Sequence, residues 1–307
     1  MLADGNMARI FRIVLLLVIA LALGALLYPI LHPQTTVAPR RAVSPEASEV
    51  ASATPGPTSA PSSPSPSPSA IPQVHSAMLP KLPSRHSGEA RLAIIIDDCG
   101  QWPDTERAII ALPIPITLSV MPHVRYTKEI SQEAASAGKG VMMHLPMEPL
   151  SGANPGTGKI TTAMSDDAIQ AQVADDVAQV PLARGVNNHE GSKATGDPRV
   201  MRAVSAVLQK DGLFFVDSRT APDSVAAQVT QDAGIPTASR DVFLDDKDDV
   251  VAIETQLRQA ATIAKETGQA IAIGHPRAAT LASLQTMVPE LQNDGVDFTL
   301  VQDLVKP

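Results

Sequence analysis

The stretch LAIIIDDCG, residues 92–100, joins a run of five apolar residues directly to two adjacent aspartates. Three of the five are isoleucine, a β-branched residue that favours strands over helices. A run this short, with no polar residue at alternate positions, is typical of a strand buried on both faces. Strands of that kind occur in parallel sheets covered by helices, so the stretch predicts an α/β fold.

Further short apolar runs follow to the end of the chain, and stretches with helical periodicity lie between most of them. The predicted strands are 92–96, 116–120, 140–143, 185–187, 213–216, 236–239, 270–273 and 297–300. The predicted helices are 104–111, 126–138, 165–179, 198–211, 222–233, 249–267 and 277–293. This number of units favours an irregular (β/α) barrel over an open doubly wound sheet. We therefore predict one α/β domain at residues 91–307.

Upstream, residues 13–31 read IVLLLVIALALGALLYPIL and carry no charge. A helix of this length spans roughly 28 Å, close to the ~30 Å hydrocarbon core of a bilayer. Arg9 and Arg12 precede it, which by the positive-inside rule leaves residues 1–12 in the cytoplasm. The alternative is a cleaved signal peptide, but the run exceeds the usual h-region and no clean A-x-A site follows. The pattern predicts a single-pass anchor in the cytoplasmic membrane.

Residues 32–90 form a linker rich in Pro, Ser and Ala that contains twelve of the 27 prolines. No apolar periodicity survives there, so the segment cannot bury enough surface to offset the entropy of ordering, and we predict disorder. Proline-rich chain is extended, with a reach on the order of 150 Å at most. It is either a spacer that carries the domain away from the membrane, on the periplasmic side, or a passive connection.

Composition and motifs argue against several function classes. The formal net charge of −8 does not suit a protein that grips nucleic acid through its phosphates. No Gly-x-Gly-x-x-Gly follows the first strand and no Walker sequence is present, so the usual nucleotide-binding loops are missing. Cys99 is the single cysteine, which excludes an intramolecular disulfide.

Polar residues stand at the end of most predicted strands, and all four histidines of the domain follow a strand directly or within two residues. Because the carboxyl ends of barrel strands converge on one face, these side chains predict a site there. The residues concerned are Asp97, Asp98, His123, His144, Asn188, His189, Asp217, Arg219 and His275.

Several of these residues have a structural alternative. Asp97 and Asp98 could cap the next helix, although one cap needs only one carboxylate. Adjacent carboxylates repel each other unless a cation or a proton intervenes, which favours metal binding or acid–base chemistry. We expect His123 to be a rim residue and Cys99 a small buried one, whereas Trp102 could stack on a sugar ring or pack at a helix end. Asp245 belongs to an acidic loop and could face the site.

Six motifs in this order resemble those of the divergent polysaccharide deacetylases, a remote branch of the NodB-like carbohydrate esterases. They are IIIDDCG (94–100), HLPMEP (144–149), GVNNHEGSKAT (185–195), FFVDSRT (214–220), RDVFLDD (240–246) and IAIGHPR (271–277). The resemblance covers residues 91–306. It implies an irregular (β/α) barrel of the NodB-like deacetylase type and metal-dependent removal of acetyl groups from N-acetylated sugars.

Carried over residue by residue, the resemblance implies that Asp97 is the general base and His275 the general acid. Asp98 and His144 would bind a divalent metal, which we expect to be zinc. The superfamily's H-x-x-x-H pattern is broken here, because Glu148 stands where the second histidine would be. Either His189 or Glu148 could supply the third ligand, and His189 is preferred because zinc favours imidazole.

The resemblance gives Asp217 and Arg219 a role in orienting His275 or binding substrate, and Asn188 and Glu148 are candidates for substrate binding or support. The leading hypothesis is a hydrolase acting on envelope polysaccharide such as peptidoglycan. The alternative, motivated by the broken motif and an aromatic content of only 3%, is a non-catalytic module that binds envelope glycan or regulates cell-wall enzymes. A metal-dependent phosphodiesterase is the third class, disfavoured because no basic cluster for phosphate is evident.

Overall fold

The computed structural model describes residues 90–306. The predicted segments 1–12 and 13–31 lie outside this range, as does the predicted linker 32–90 except for Ala90, which begins the first strand. The strands described are β1 (Ala90–Cys99), β2 (Thr117–Val120), β3 (Gly140–Met147), β4 (Gly185–Glu190), β5 (Phe214–Asp217), β6 (Thr237–Ser239), β7 (Val242–Phe243), β8 (Gln269–Gly274) and β9 (Val296–Thr299). The α-helices are α1 (Pro103–Ile110), α2 (Thr127–Ser136), α3 (Asp166–Gln179), α4 (Pro198–Asp211), α5 (Ala226–Asp232), α6 (Val250–Thr267) and α7 (Ala278–Asn293). None of these helices combines the length and apolarity needed to cross a bilayer.

All nine strands belong to one sheet, in the order β6-β5-β4-β3-β2-β1-β8-β7, and every strand pair in it is parallel. β9 pairs with the first residues of β1, on the side where β2 takes over further along. The two ends of the path, β6 and β7, are separated in sequence by only Arg240 and Asp241. Three residue steps span at most about 11 Å, so the sheet must curl until its edges approach each other. The result is a curled, open barrel.

Alternate residues of β1 face two different apolar layers. Leu92, Ile94 and Ile96 pack into the larger cluster, together with the helices that cover the outside of the sheet. Ala93 and Ile95 belong to a second cluster inside the curl. Both faces of β1 are therefore buried, which confirms the two-sided burial that its apolar run predicted.

Local sequence signals explain several helix ends. Asp197 accepts hydrogen bonds from the backbone N–H groups of Arg199 and Val200, Pro198 occupies the first turn of α4, and Gly212 ends the helix in the left-handed region. Predicted and observed elements agree in order and type. However, β1, β3 and β4 continue past their predicted ends at residues 96, 143 and 187, so the polar residues predicted to follow these strands belong to them. β7 was not predicted, and α5 begins at Ala226 instead of residue 222, because residues 217–224 form a hydrogen-bonded loop.

Candidate metal centre and active site

The site lies at the carboxyl end of the curled sheet, where the inward-facing positions of its strands run out. The inner layer contains Ile95 of β1, Met142 of β3 and Ile273 of β8. Side chains alternate along a strand, so the residue two positions further on faces the same interior. Those residues are Asp97, His144 and His275. The residues that face the interior of the curl are therefore apolar along the strands and ionisable at the carboxyl ends of the strands. We call this ionisable end the mouth of the sheet.

Asp98 departs from this alternation because its backbone adopts a left-handed conformation, with φ at 58°. Its carboxylate thereby joins the same group as that of Asp97. Asp98 Oδ1 lies 3.2 Å from His144 Nε2 and 2.8 Å from His189 Nδ1. The two ring nitrogens are themselves 3.2 Å apart. Three donor atoms from β1, β3 and β4 therefore form a small triangle.

The dimensions and chemistry of this triangle fit a divalent metal. Bonds of about 2.0–2.1 Å in a tetrahedral zinc site separate neighbouring ligand atoms by roughly 3.4 Å. Asp98 Oδ1 is buried and accepts no hydrogen bond of acceptable geometry, which is rare for a buried oxygen. A cation between Asp98, His144 and His189 would give it a partner, and one carboxylate with two imidazoles is a common zinc ligand set.

Electrostatics couples these groups strongly. Burial raises the pKa of Asp98, but the imidazoles of His144 and His189 lower it by more, and the net result is a pKa far below the usual range. Burial lowers the pKa of His144, and the carboxylates of Asp97 and Asp98 outweigh it and raise the pKa. The two carboxylates therefore make His144 hold its proton more firmly than a free imidazole does.

Asn187 orients both His144 and Asp97. Its Oδ1 accepts a hydrogen bond from His144 Nδ1 at 2.7 Å, which leaves the lone pair of Nε2 free to face the triangle. Its Nδ2 donates to Asp97 Oδ1 at 2.8 Å. Asn187 was not among the predicted site residues. The strand period could have identified it, because residues 187 and 189 face the same side of β4.

Asp97 is almost fully buried beside the triangle. Its Oδ2 lies 3.6 Å from His144 Nε2. Burial raises its pKa above the usual carboxyl value, against the lowering effect of His144, His275 and the Asn187 hydrogen bond. A carboxylate with a raised pKa binds a proton more readily, which is the property of a general base.

His275 forms a dyad with Asp245 on the other side of Asp98. Its Nδ1 is 2.9 Å from Asp245 Oδ1, and its backbone N–H donates to Asp245 Oδ2 at 2.7 Å. Thr280 donates to the same Oδ2, so the buried carboxylate is fully satisfied. Burial lowers the pKa of His275, but Asp245 more than compensates and the pKa is raised. His275 Nε2 points toward the site, 3.8 Å from Asp98 Oδ2.

Of the residues predicted to support the site, Asn188 and Asp217 shape adjacent loops. Asn188 Oδ1 accepts from the backbone N–H of Ser218. Asp217 accepts from the backbone of Arg219 and from Ser224 Oγ, which closes the loop after β5. The side chain of Arg219 is exposed.

Glu148 lies outside the triangle, although the broken motif made it a candidate ligand. Its Oε1 pairs with Lys193 Nζ at 2.7 Å, and its Oε2 accepts from the backbone N–H and the hydroxyl of Thr162. Lys193, followed by the Thr162 contacts, lowers the pKa of Glu148 to about 2. Both carboxylate oxygens are therefore engaged in holding two loops together. His189 is the third residue that the structure brings to Asp98 and His144.

Glu106 organises the loop that follows Asp98. It is a buried residue of α1 and was not among the predicted site residues either. Its Oε1 accepts hydrogen bonds from three successive backbone N–H groups, those of Gly100, Gln101 and Trp102. Gly100 has φ at 101°, a conformation that favours glycine. Cys99 is fully buried and burial raises the pKa of its thiol, as expected for a packing residue. Trp102 is half exposed at the start of α1.

Comparison with known proteins places this site in a family. The family model described as divergent polysaccharide deacetylase matches residues 94–305, which include every residue of the site. An uncharacterised protein of Haemophilus influenzae is 37% identical over 206 residues, covering 67% of this chain and 74% of that protein. The uncharacterised protein YibQ of Escherichia coli K12 is 38% identical over 212 residues, covering 69% of this chain and 66% of YibQ.

A solved structure supports the fold. The crystal structure of the uncharacterised protein ATU2773 from Agrobacterium tumefaciens C58 aligns with a TM-score of 0.69 at 22% identity, covering 73% of this chain and 92% of that one. The match to the family model extends over more than two thirds of the chain. The chain therefore belongs to the divergent polysaccharide deacetylase family.

Proposed function

We propose that this protein is a metal-dependent hydrolase that removes N-acetyl groups from an envelope polysaccharide such as peptidoglycan. The observation that carries the proposal is the convergence of Asp98, His144 and His189 on one point. Asp97 and His275 each lie within 4 Å of one of these three residues. This arrangement supplies three metal-ligand atoms, a base and an acid next to one another at the carboxyl end of the sheet. The family supports the substrate class.

Amide hydrolysis needs an activated water and a protonated leaving amine, because an amide is a poor electrophile and a free amide anion is a poor leaving group. A zinc ion held by Asp98, His144 and His189 would lower the pKa of a water molecule to about 7 and stabilise the developing oxyanion. Asp97 accepts the proton that the water loses as its oxygen adds to the acetyl carbonyl carbon.

His275 completes the reaction by donating its Nε2 proton to the nitrogen as the C–N bond breaks, which gives acetate and a free amine. Asp245 holds the imidazole through Nδ1 and stabilises its protonated form. Asn187 holds the carboxylate of Asp97 and the imidazole of His144 in position during both steps.

We further propose that the protein acts outside the cytoplasm while anchored in the cytoplasmic membrane. The uncharged run at residues 13–31 and the proline-rich linker at 32–90 are the sequence features behind this part of the proposal. An envelope polysaccharide would then be the substrate within reach of the domain.

The test is acetate release from N-acetylated peptidoglycan fragments by the purified full-length chain, with and without added Zn²⁺. Asp97→Asn and His144→Ala should each lower the rate by at least about a hundredfold, because they remove the base and a ligand. Glu266→Gln, on the exposed end of α6, is the matched control and should not change it. Equal acetate release by wild type and both site variants would refute the proposal.

If the wild-type chain binds zinc yet releases no acetate from any N-acetylated glycan, the result favours the alternative function, a non-catalytic module that binds glycan. Glycan binding by that chain, unaffected by a chelator, would then be the expected result.

A further inference from the structure

A second group of metal-ligand side chains lies away from the site just described. It consists of His123, in the loop after β2, and Asp175 and Asp176, near the end of α3; we call it the rim cluster. His123 Nε2 lies 2.9 Å from Asp176 Oδ1 and 3.2 Å from Asp175 Oδ2. His123 reaches this position with φ at 58°, a left-handed backbone that non-glycine residues rarely adopt.

Asp176 is the unusual member of the rim cluster. Its side chain is fully buried, and Oδ1 also accepts a hydrogen bond from Gln172 Nε2 at 3.0 Å. Oδ2 is buried and has no hydrogen-bond partner. Burial raises the pKa of Asp176 to about 6, against the opposing effects of His123 and Gln172. A buried carboxylate oxygen without a hydrogen-bond partner is uncommon, and a bound cation is one way to supply that partner.

The backbone lies close to Asp176 on one side of the cluster. A Cβ added at Gly158 would lie 2.2 Å from Asp176 Oδ1, so the loop between β3 and α3 passes directly against this side chain. Asp175, by contrast, is 58% exposed and His123 is 20% exposed. The cluster is therefore closed on the side of Asp176 and open to solvent on the side of Asp175.

We infer that His123, Asp175 and Asp176 form a second binding site for a divalent transition-metal ion of the zinc type. One imidazole and two carboxylates are a ligand set that Zn²⁺ accepts. His123 Nε2 lies 2.9 and 3.2 Å from the two aspartate oxygens, close to the roughly 3.4 Å expected between ligand atoms around a tetrahedral ion. An ion there would bind the carboxylate of Asp176 and balance its buried charge, and solvent would fill the open side. This site is independent of the proposed deacetylation and ties the loop after β2 to α3.

A protonated His123 paired with the two aspartates is the competing explanation. It accounts for the contacts of His123, but one imidazolium balances only one of the two carboxylates, whereas a divalent cation balances both. The two explanations differ in one measurable quantity, the number of zinc ions bound per chain.

The experiment is equilibrium dialysis of the metal-stripped full-length chain against Zn²⁺, with zinc per chain measured in the retained protein. We expect two ions in the wild type, one in the His144→Ala/His189→Ala double variant, and none once His123→Ala is added to it. Asp175→Asn alone should weaken the second ion at least about tenfold, since even the loss of outer partners costs 10–100-fold. Because Asp175 is exposed, this variant should fold like the wild type.

A single zinc ion in the wild type, together with none in the double variant, would overturn the inference. A second ion that binds His123→Ala and Asp175→Asn as tightly as it binds the wild type would also overturn the inference, since that ion would bind elsewhere. Circular dichroism checks that each variant is folded. A wild type that binds one ion, lost in His123→Ala but kept in His144→Ala, would uphold the rim site while removing the metal centre assumed for deacetylation.

Discussion

Asn187 touches four side chains at once and holds Asp97, the proposed base, beside His144, a proposed metal ligand. Ser119 and Ser218 are its other two partners, at 2.5 and 3.1 Å, and all five side chains are buried. An amide suits this position because it donates to a carboxylate on one side and accepts from an imidazole on the other. A carboxylate could only accept and an ammonium group could only donate, so neither could make both contacts.

We expect Asn187→Ala to lower zinc affinity about 10- to 100-fold, because His144 would lose the partner that fixes its tautomer and ring orientation. Competition with a chromophoric chelator measures this. Asn293→Ala, at the exposed end of α7, is the control and should bind zinc like the wild type. Unchanged zinc affinity in Asn187→Ala would show that packing alone orients His144.

Asp245→Asn should shift the pH dependence of catalysis. A general acid is active below its pKa, and Asp245 raises the pKa of His275, so it extends activity to higher pH. Removing that charge lowers the pKa of His275 and moves the alkaline limb of the kcat/KM profile to lower pH. The neighbouring exposed Asp246→Asn should leave the limb in place. A profile that does not move would exclude His275 as the acid.

Much of the site could be predicted at the residue scale. The five residues predicted to bind the metal or carry out the reaction were chosen because each follows an apolar run in the sequence. The structure brings these five together, namely Asp97, Asp98, His144, His189 and His275. Their chemical roles remain predictions. The partners Asn187, Glu106 and Asp245 were harder to assign, because the need for an amide or a second carboxylate arises only from contacts between distant segments.

At the scale of elements, the turn between β1 and α1 is the part of the site with the most demanding backbone. Asp98 and Gly100 both have positive φ, and the single carboxylate of Glu106 pairs with the three N–H groups that follow. The first turn of α1 thus reaches back to fix the strand end that carries two site residues.

Glu106→Ala should lower the free energy of unfolding by about 3 kcal/mol, since it leaves the buried N–H group of Gly100 and the partly buried ones of Gln101 and Trp102 without their acceptor. It should also weaken zinc binding, because the Asp98 loop loses its support. Glu106→Gln keeps one acceptor oxygen and should fall between the alanine variant and the wild type. Urea denaturation and zinc titration measure the two effects. Glu266→Ala, on an exposed surface, is the control, and an equal stability of both alanine variants would contradict the argument.

The elements themselves were largely predictable, because buried parallel strands and amphipathic helices leave different periodicities in the sequence. All eight predicted strands and all seven predicted helices have counterparts within residues 90–306. β7 was missed because two residues are too few to carry a period. The late start of α5 follows from the contacts of Asp217, which are made by tertiary structure and leave no local pattern.

For the molecule as a whole, stability depends on the interior of the curl, where β1 pairs with three strands. Ile95 is fully buried in this inner layer. Ile95→Ala should lower the free energy of unfolding by about 2–5 kcal/mol through lost apolar contact and the cavity left behind. Val251→Ala, 70% exposed on α6, should change it by less than about 0.5 kcal/mol in the same urea titration. Similar losses in both would contradict a close-packed interior.

The direction of β1 also has a practical consequence. The chain enters the domain at Ala90, and Asp97 lies seven residues further along, about 23 Å away at the rise of a strand. Material joined upstream of Ala90 therefore approaches the domain from the end opposite the ionisable mouth. A support or fusion partner coupled there should therefore leave the ionisable end of the sheet accessible.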